Sequence, residues 1–440
     1  MVYGIDLGTT NSLIGRDNCL MAMVSSSVDL IKETQCERHA KTEGYYDSYK
    51  VNMTMSVEGK KPIKASSIIL KHLKDTASML EGREVSRVVI SVPASFTTIQ
   101  REAVLSAAQQ VGLKVEALIN EPTAAALYCC SEQPGLVVVY DLGGGTFDIS
   151  VVDNRHGSYS VVAFDGIILG GDDLDKYLAD KISKKIGMQM RHKTAGNKRI
   201  LKKTATMVKE TISNTGMDFE GTVSLEKMGD NIPFTVSVEE YKEALQTVFG
   251  DTIQMTNNLI ATNIAANEKP SLVLVGGSTM CPFLRAMVEE GVKIPSRDID
   301  IRRDEVVARG VFKYATMMEN GTAATLVEDV TKRLCIKLDD GRTQTIIASN
   351  SLIPCRASVP VVNHEASTKA SIELFQGDAI LAKDNTYIGT LEFEYGRLVE
   401  KGEGFINVDV SVDLNGVITL SCYEPIFGEE TAQEIKLKRL

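Results

Sequence analysis

No cysteine pair in this chain has the C-x-x-C spacing of a redox or zinc motif. Its eight cysteines are scattered, and only Cys129 and Cys130 are neighbours, so they read as reduced, mostly structural thiols. The five histidines have no metal-ligand spacing either. There is no run of basic residues, and the formal net charge is −10 with a pI near 5.3, which argues against a general nucleic-acid or anionic-membrane binder. Apolar runs are too short to span a bilayer. A strand signal begins at Val2, leaving no room for a signal peptide, so a cytoplasmic location is expected. Finally, there is no G-x-x-x-x-G-K-[ST], so any phosphate site is not of the P-loop kind.

What the chain does have is an ordinary globular composition, 43% hydrophobic and 24% charged over 440 residues, enough for two or three domains. It also has a repeated signature. Gly4-Ile5-Asp6-Leu7-Gly8-Thr9-Thr10-Asn11-Ser12 and Tyr140-Asp141-Leu142-Gly143-Gly144-Gly145-Thr146-Phe147-Asp148 each follow an apolar strand and turn on glycines after an Asp, with Asp6 and Asp141 standing 135 positions apart. Glycines allow close backbone approach, and converging N–H groups can hold phosphate oxygens. Asp6, Asp141 and Asp148 can hold magnesium through its waters, as suits an ion that dehydrates reluctantly. The duplication suggests two lobes closing on one nucleotide, with Gly276-Gly277-Ser278 as a third glycine turn.

Strand and helix signals alternate through the first part of the chain. Val88–Val92 is a strand stopped by Pro93, and Gln100–Val111 a helix stopped by Gly112. Leu136–Tyr140 and Ser271–Val275 are runs expected of doubly buried strands. The pattern predicts an α/β unit over 1–321, with an inserted subdomain at about 183–250 and a linker at 322–331. From 332 to 440 it becomes alternating and rich in turns. Ile406, Val408, Val410 and Val412 share one face, and Asn415-Gly416 is a hairpin signal before Val417–Cys422. About eight such strands predict a β-sandwich.

At these residues the chain resembles the seventy-kilodalton heat-shock chaperones of the DnaK type. The resemblance runs through V-P-A-S-F at Val92–Phe96 and I-N-E-P-T-A-A-A-L at Ile119–Leu127. It continues through D-L-G-G-G-T-F-D-I-S at Asp141–Ser150, L-G-G-D-D-L-D at Leu169–Asp175 and V-L-V-G-G-S-T at Val273–Thr279, to L-F-Q-G-D at Leu374–Asp378 and A-K-D-N at Ala382–Asn385. It implies an actin-like two-lobed ATPase domain followed by a peptide-binding β-sandwich, with ATP or ADP and Mg²⁺ as ligands. Thr9, Thr10 and Asn11 would contact phosphates from one lobe, and Gly143, Gly144, Gly145 and Thr146 from the other. Asp6, Asp141 and Asp148 would order the magnesium shell and the attacking water, and Glu121 matches the catalytic glutamate. Gly276, Gly277, Ser278, Lys209, Ser213 and Asp304 match residues around the adenosine. Lys50 is the candidate for the catalytic lysine, with Lys60, Lys61 and Lys64 as rivals.

Departures from the family pattern carry expectations of their own. The segment at about 16–64 is short, trimming the upper subdomain of the first lobe, which predicts a more open cleft and faster nucleotide release. Met280 replaces an arginine that stacks on the base, and Thr206 and Glu210 replace a glutamate and a basic residue, so adenine should bind weakly. Ser95, Thr97, Thr98 and Ala117-Leu118 alter the surface that receives J-domain co-chaperones, which together with the trimmed subdomain disfavours the usual J-domain and exchange-factor partners. Glu328 puts a charge into the linker Leu326–Thr331. Val361 and Ala370 lie near the expected apolar pocket, with Lys332-Arg333 near its first loop. The resemblance contains no counterpart of the family's helical lid. The leading expectation is a monomeric, slowly ATP-hydrolysing chaperone for extended apolar peptides or unfolded proteins. The alternative is a nucleotide-gated, non-hydrolysing binding or exchange partner of another chaperone.

Overall fold

In a computed structural model the chain opens with a meander of β1 (Tyr3–Leu7), β2 (Asn11–Arg16) and β3 (Cys19–Ser25). The structure describes all residues except 39, 41–42, 47–49, 51–59, 131–133, 156–158, 190–191, 193, 298, 323–325, 328–331, 350, 414, 426–432 and 435–440, and only the backbone at 60, 326–327 and 433–434. A small sheet of β4 (Ser27–Asp29), β5 (Thr34–Cys36) and β6 (Tyr45–Tyr46) follows the meander. Then come α1 (Lys60–Glu81), β7 (Arg87–Val92), α2 (Thr98–Gln110), β8 (Lys114–Asn120) and α3 (Glu121–Cys129). β7 and β8 add to β1 in parallel, giving the order β3-β2-β1-β7-β8.

The next stretch repeats this plan. β9 (Leu136–Leu142), β10 (Phe147–Asp153) and β11 (Tyr159–Ile167) form a second antiparallel meander. They are followed by α4 (Gly171–Lys185), α5 (Ala195–Thr215), the hairpin β12 (Phe219–Leu225) and β13 (Gly229–Val236), α6 (Val238–Asn263), β14 (Ser271–Val275), α7 (Pro282–Val292) and α8 (Val306–Glu319). β14 lies parallel to β9 as β7 does to β1, so both sheets have their first strand between its meander partner and a parallel newcomer. Val137, Val138, Val139 and Tyr140 are all fully buried, as a strand covered on both faces requires. Helix starts are marked locally. Thr194 accepts from the Asn197 N–H, and Ser237 and Glu240 form a reciprocal cap on α6.

The linker adds β15 (Leu326–Val327), which pairs in parallel with Tyr159 and Ser160 of β11. The remaining linker positions, Glu328 among them, lie outside the described residues. Beyond it run β16 (Leu334–Lys337), β17 (Thr343–Ile347), β18 (Cys355–Val362), β19 (Ser367–Gln376), β20 (Thr386–Val399), β21 (Phe405–Val412), β22 (Ile418–Tyr423) and β23 (Gln433–Glu434). They form two four-stranded sheets, β17-β16-β19-β20 and β18-β21-β22-β23. Ile336, Leu374, Leu391 and Phe393 of one sheet share a core with Val359, Ile406, Val410 and Leu420 of the other. Among the described residues no helix is long and apolar enough to cross a membrane. All eight cysteines are unpaired, and burial pushes the Cys129 and Cys130 thiols up to about 12 and about 11.

These C-terminal sheets rest on the first lobe. The Thr98 N–H donates to Gln376 Oε1 at 3.2 Å, the Thr98 hydroxyl to the Gly416 carbonyl at 2.9 Å, and the Leu118 N–H to Asn415 Oδ1 at 2.9 Å. Thr98 and Leu118, read from sequence as part of a co-chaperone surface, therefore face the chain's own β-hairpin. Their side chains are small or apolar, which lets the Asn415-Gly416 turn come close.

Helix α8 seals the first lobe. Phe312 is fully buried over Gly4 of β1 and Gly15 of β2, beside Leu13 and Ala308. Phe312→Ala is expected to cost about 3–5 kcal/mol in a urea or thermal unfolding experiment. Met79→Ala, at a side chain 75% exposed, should stay within about 0.5 kcal/mol.

Candidate functional site

The two glycine turns converge. The β1–β2 turn and the β9–β10 turn come so close that a Cβ on Gly144 would lie 1.9 Å from Thr10 Oγ1, so a side chain there would drive the lobes apart. Ser278 Oγ donates to the Gly143 carbonyl at 2.8 Å, and the first N–H groups of α4, from Gly171 and Asp172, donate to the carbonyls of Gly143 and Gly144 at 3.0 and 2.7 Å. The second loop is thereby fixed from two sides, and the Gly143 N–H closes it on the Thr146 carbonyl at 3.0 Å.

That cleft encloses about 370 Å³. From the first lobe it is lined by Asp6, Gly8, Thr9, Thr10, Asn11, Lys50 and Glu121. From the second it is lined by Asp141, Gly143, Gly144, Thr146, Lys209, Ser213, Gly276, Gly277, Ser278, Met280 and Asp304. Of the residues singled out from sequence, Gly145 and Asp148 are not on this wall. Asp148 on β10 is the direct cross-strand partner of the lining residue Asp141 and accepts from Ser95 Oγ at 3.3 Å. Ser95, too, therefore turns inward and not to a partner surface.

Lys50 and Glu121 form a buried ion pair, with residue exposures of 6% and 7%. Lys61 and Lys64 are exposed, and Lys64 is paired with Glu33 at 2.5 Å; the side chain of Lys60 is not described. Asp6 accepts from Ser91 Oγ at 2.6 Å. Burial raises Asp6 to about 6, against the pull of Lys50, and raises Asp148 to about 7, helped by the charge of Glu121. Asp141 is pushed well above the carboxylate range by burial and by Glu121, Asp148 and Asp6. Burial works against the Lys50 ammonium, but Glu121 and Asp6 overcome it and its pKa rises. Four carboxylates thus surround one ammonium in a water-poor place, a donor set that suits a further cation. Among the described residues no three acids, histidines or cysteines are close enough together to chelate a metal directly.

Other residues were not legible beforehand. Arg38, from the short insert, reaches across the cleft to Asp172 at 2.6 Å and Asp175 at 3.6 Å on α4. The trimmed subdomain therefore still bridges the lobes, and the expectation of a cleft left open at this edge needs correcting. Asp175 is fully buried and is also held by Lys209 at 2.7 Å and the Thr206 hydroxyl at 2.7 Å. Thr206 thus turns away from the cleft, because a short hydroxyl on that face of α5 is drawn to the buried carboxylate. This agrees with its reading as a replacement that takes a family residue away from the base. Asp304 is paired with Arg302 at 2.8 Å, and Ser213 Oγ hydrogen-bonds the Tyr241 hydroxyl at 2.8 Å. In the C-terminal sheets, Arg333 is occupied by the Gly377 carbonyl at 3.0 Å and the hydroxyls of Thr343 and Thr345 at 2.8 Å. The acids of Leu169–Asp175 were visible as a motif, but nothing in the insert announced Arg38 as their partner.

Residues 29–439 match the family model described as Hsp70 protein. The chaperone protein DnaK of Mesomycoplasma hyopneumoniae (strain 7448) is 32% identical over 473 aligned residues, covering 99% of this chain and 78% of that protein. DnaK of Mycoplasmopsis synoviae (strain 53) is 30% identical over 457 residues, covering 96% and 76%. The chaperone protein HscA homolog of Actinobacillus pleuropneumoniae serotype 5b (strain L20) is 33% identical over 386 residues, covering 86% of this chain and 61% of its own length.

Because Asp148 holds its proton up to about pH 7 in the folded chain and an unfolded Asp releases it near 3.8, its burial costs stability increasingly between those values and fully above 7. In metal-free protein, Asp148→Asn should be neutral near pH 4 and stabilising at pH 8, on the order of a few kcal/mol. Melting curves across that range check the sign.

Proposed function

The chain belongs to the Hsp70 family, and from that premise we propose that it is an ATP-hydrolysing chaperone whose nucleotide state governs the grip of its C-terminal sheets on extended apolar peptide. In this reading residues 1–321 are the two-lobed nucleotide unit, 322–331 the linker, and 332–440 a peptide-binding β-sandwich. The observation that carries it is the buried Lys50–Glu121 pair, set in one cleft with both glycine turns.

The roles follow from placement. Backbone N–H groups at Gly8–Asn11 and Gly143–Thr146 would bind phosphate oxygens from opposite sides. Asp6 and Asp141 would hold magnesium through waters, and that ion would neutralise charge on the phosphates. Lys50 would stabilise charge building on the γ-phosphate, while Glu121 holds its amine in place and keeps it charged. Asp148 and Thr146 would orient the attacking water. The pairing of β15 with β11 and the contacts of Thr98 and Leu118 with the Asn415-Gly416 hairpin offer a route between nucleotide and peptide sites. A coupling along it must act in both directions, so peptide should speed hydrolysis if ATP speeds peptide release. The non-hydrolysing alternative would still use Asp6 and Asp141 for magnesium, but Glu121 paired with Lys50 speaks against it.

Lys50→Ala is expected to keep nucleotide binding and lose single-turnover hydrolysis by about 10²–10³-fold. Bound nucleotide with hydrolysis at the wild-type rate would remove Lys50 from the mechanism. Wild-type chain that binds nucleotide but releases no phosphate, with or without apolar peptide, would favour the non-hydrolysing partner.

A further inference from the structure

One stretch of the cleft wall is apolar. Tyr241, Leu245 and Phe249 of α6 line it, together with Met280, Cys281 and Leu284 around the start of α7. All of these except Met280 are buried. With phosphates held at the glycine turns, a wall of this kind suits the flat, weakly polar remainder of the same nucleotide, and a few placed polar groups then fix its orientation.

A string of three polar groups stands in this wall. Ser213 Oγ of α5 hydrogen-bonds the Tyr241 hydroxyl at 2.8 Å, and that hydroxyl lies 3.6 Å from Cys281 Sγ. Tyr241 is fully buried, and its ring meets Phe283 edge-on at 6.2 Å between centroids, so the hydroxyl is carried on a fixed ring. Ser213 lines the cleft, and Tyr241 is its one hydrogen-bond partner among the described residues. Sulfur is a weak acceptor and a hydroxyl oxygen a good one. The favoured direction is therefore from the thiol to the Tyr241 oxygen, and from the Tyr241 hydroxyl to Ser213 Oγ. Ser213 then keeps its own proton for a ligand.

We propose that Tyr241 is a positioning residue, whose hydroxyl holds Ser213 turned to the cleft as a hydrogen-bond donor to the nucleoside part of a bound nucleotide. Tyr241→Phe would fill the same space and leave the Ser213 hydroxyl free to rotate. The proposal rests on the reading of the cleft as a nucleotide site and adds a residue that acts on the nucleoside and not on the phosphates.

The test is the calorimetric affinity of the full chain for ADP, with magnesium, in Tyr241→Phe, Ser213→Ala and the double variant. Each single variant should bind ADP about three- to ten-fold more weakly than wild type. The double variant should bind no more weakly than Ser213→Ala alone, because the Tyr241 hydroxyl acts only through Ser213. A structural role for Tyr241 would weaken binding by the same factor with or without the Ser213 hydroxyl, and that result overturns the proposal. Wild-type affinity in Tyr241→Phe overturns it too. Unchanged ADP affinity in Ser213→Ala overturns it whatever the behaviour of Tyr241→Phe. In each of these cases the nucleotide site itself still stands. Wild-type chain that binds no ADP overturns both readings.

Discussion

One ammonium among four buried carboxylates is the constraint on which the centre of this molecule depends. Lys50 comes from the short insert of the first lobe, Glu121 from the start of α3, Asp6 from the end of β1, and Asp141 and Asp148 from facing positions on β9 and β10. Burying that much like charge is costly unless something positive shares the space. Lys50 answers part of the demand, and the raised pKa values of Asp6, Asp141 and Asp148 register the remainder. A site poised in this way favours added positive charge.

The same centre explains why the lobes sit as they do. Thr10 and Gly144 touch across the cleft, Arg38 ties the insert to α4, and the Lys50–Glu121 pair anchors the insert over the end of β8. The C-terminal sheets lean on the first lobe through Thr98 and Leu118, each of which belongs to an element that starts or ends near the cleft. Movement of the lobes about a ligand would therefore be felt both at β15, on the edge of the second sheet, and at the Asn415-Gly416 hairpin on the first.

Much of this was readable from sequence because it is local. Glycine turns after strand-end aspartates announce themselves twice, and the strands around them are marked by unbroken apolar runs such as Leu136–Tyr140. Alternation at Ile406, Val408, Val410 and Val412 likewise identifies a strand with one buried face. What was hidden depends on distance. Arg38 lies in an insert without periodicity and finds Asp172 134 positions later. Thr206 was legible only as a replacement in the family's base clamp, and its bond to a buried aspartate on a neighbouring helix was not. Thr98 and Leu118 looked like outer surface because sequence does not say that a hairpin some 300 positions on lies against them. Lys50 was legible only as one lysine among several, and its burial beside Glu121 is what separates it from Lys61 and Lys64.

The central claim is that two separate turns hold one ligand. Hydrogen exchange measured with and without magnesium nucleotide tests it directly, through peptides covering Gly8–Asn11 and Gly143–Thr146. Both segments should gain protection together, at the same nucleotide concentration. Protection of one turn alone, or of neither while nucleotide is bound elsewhere, would contradict the account.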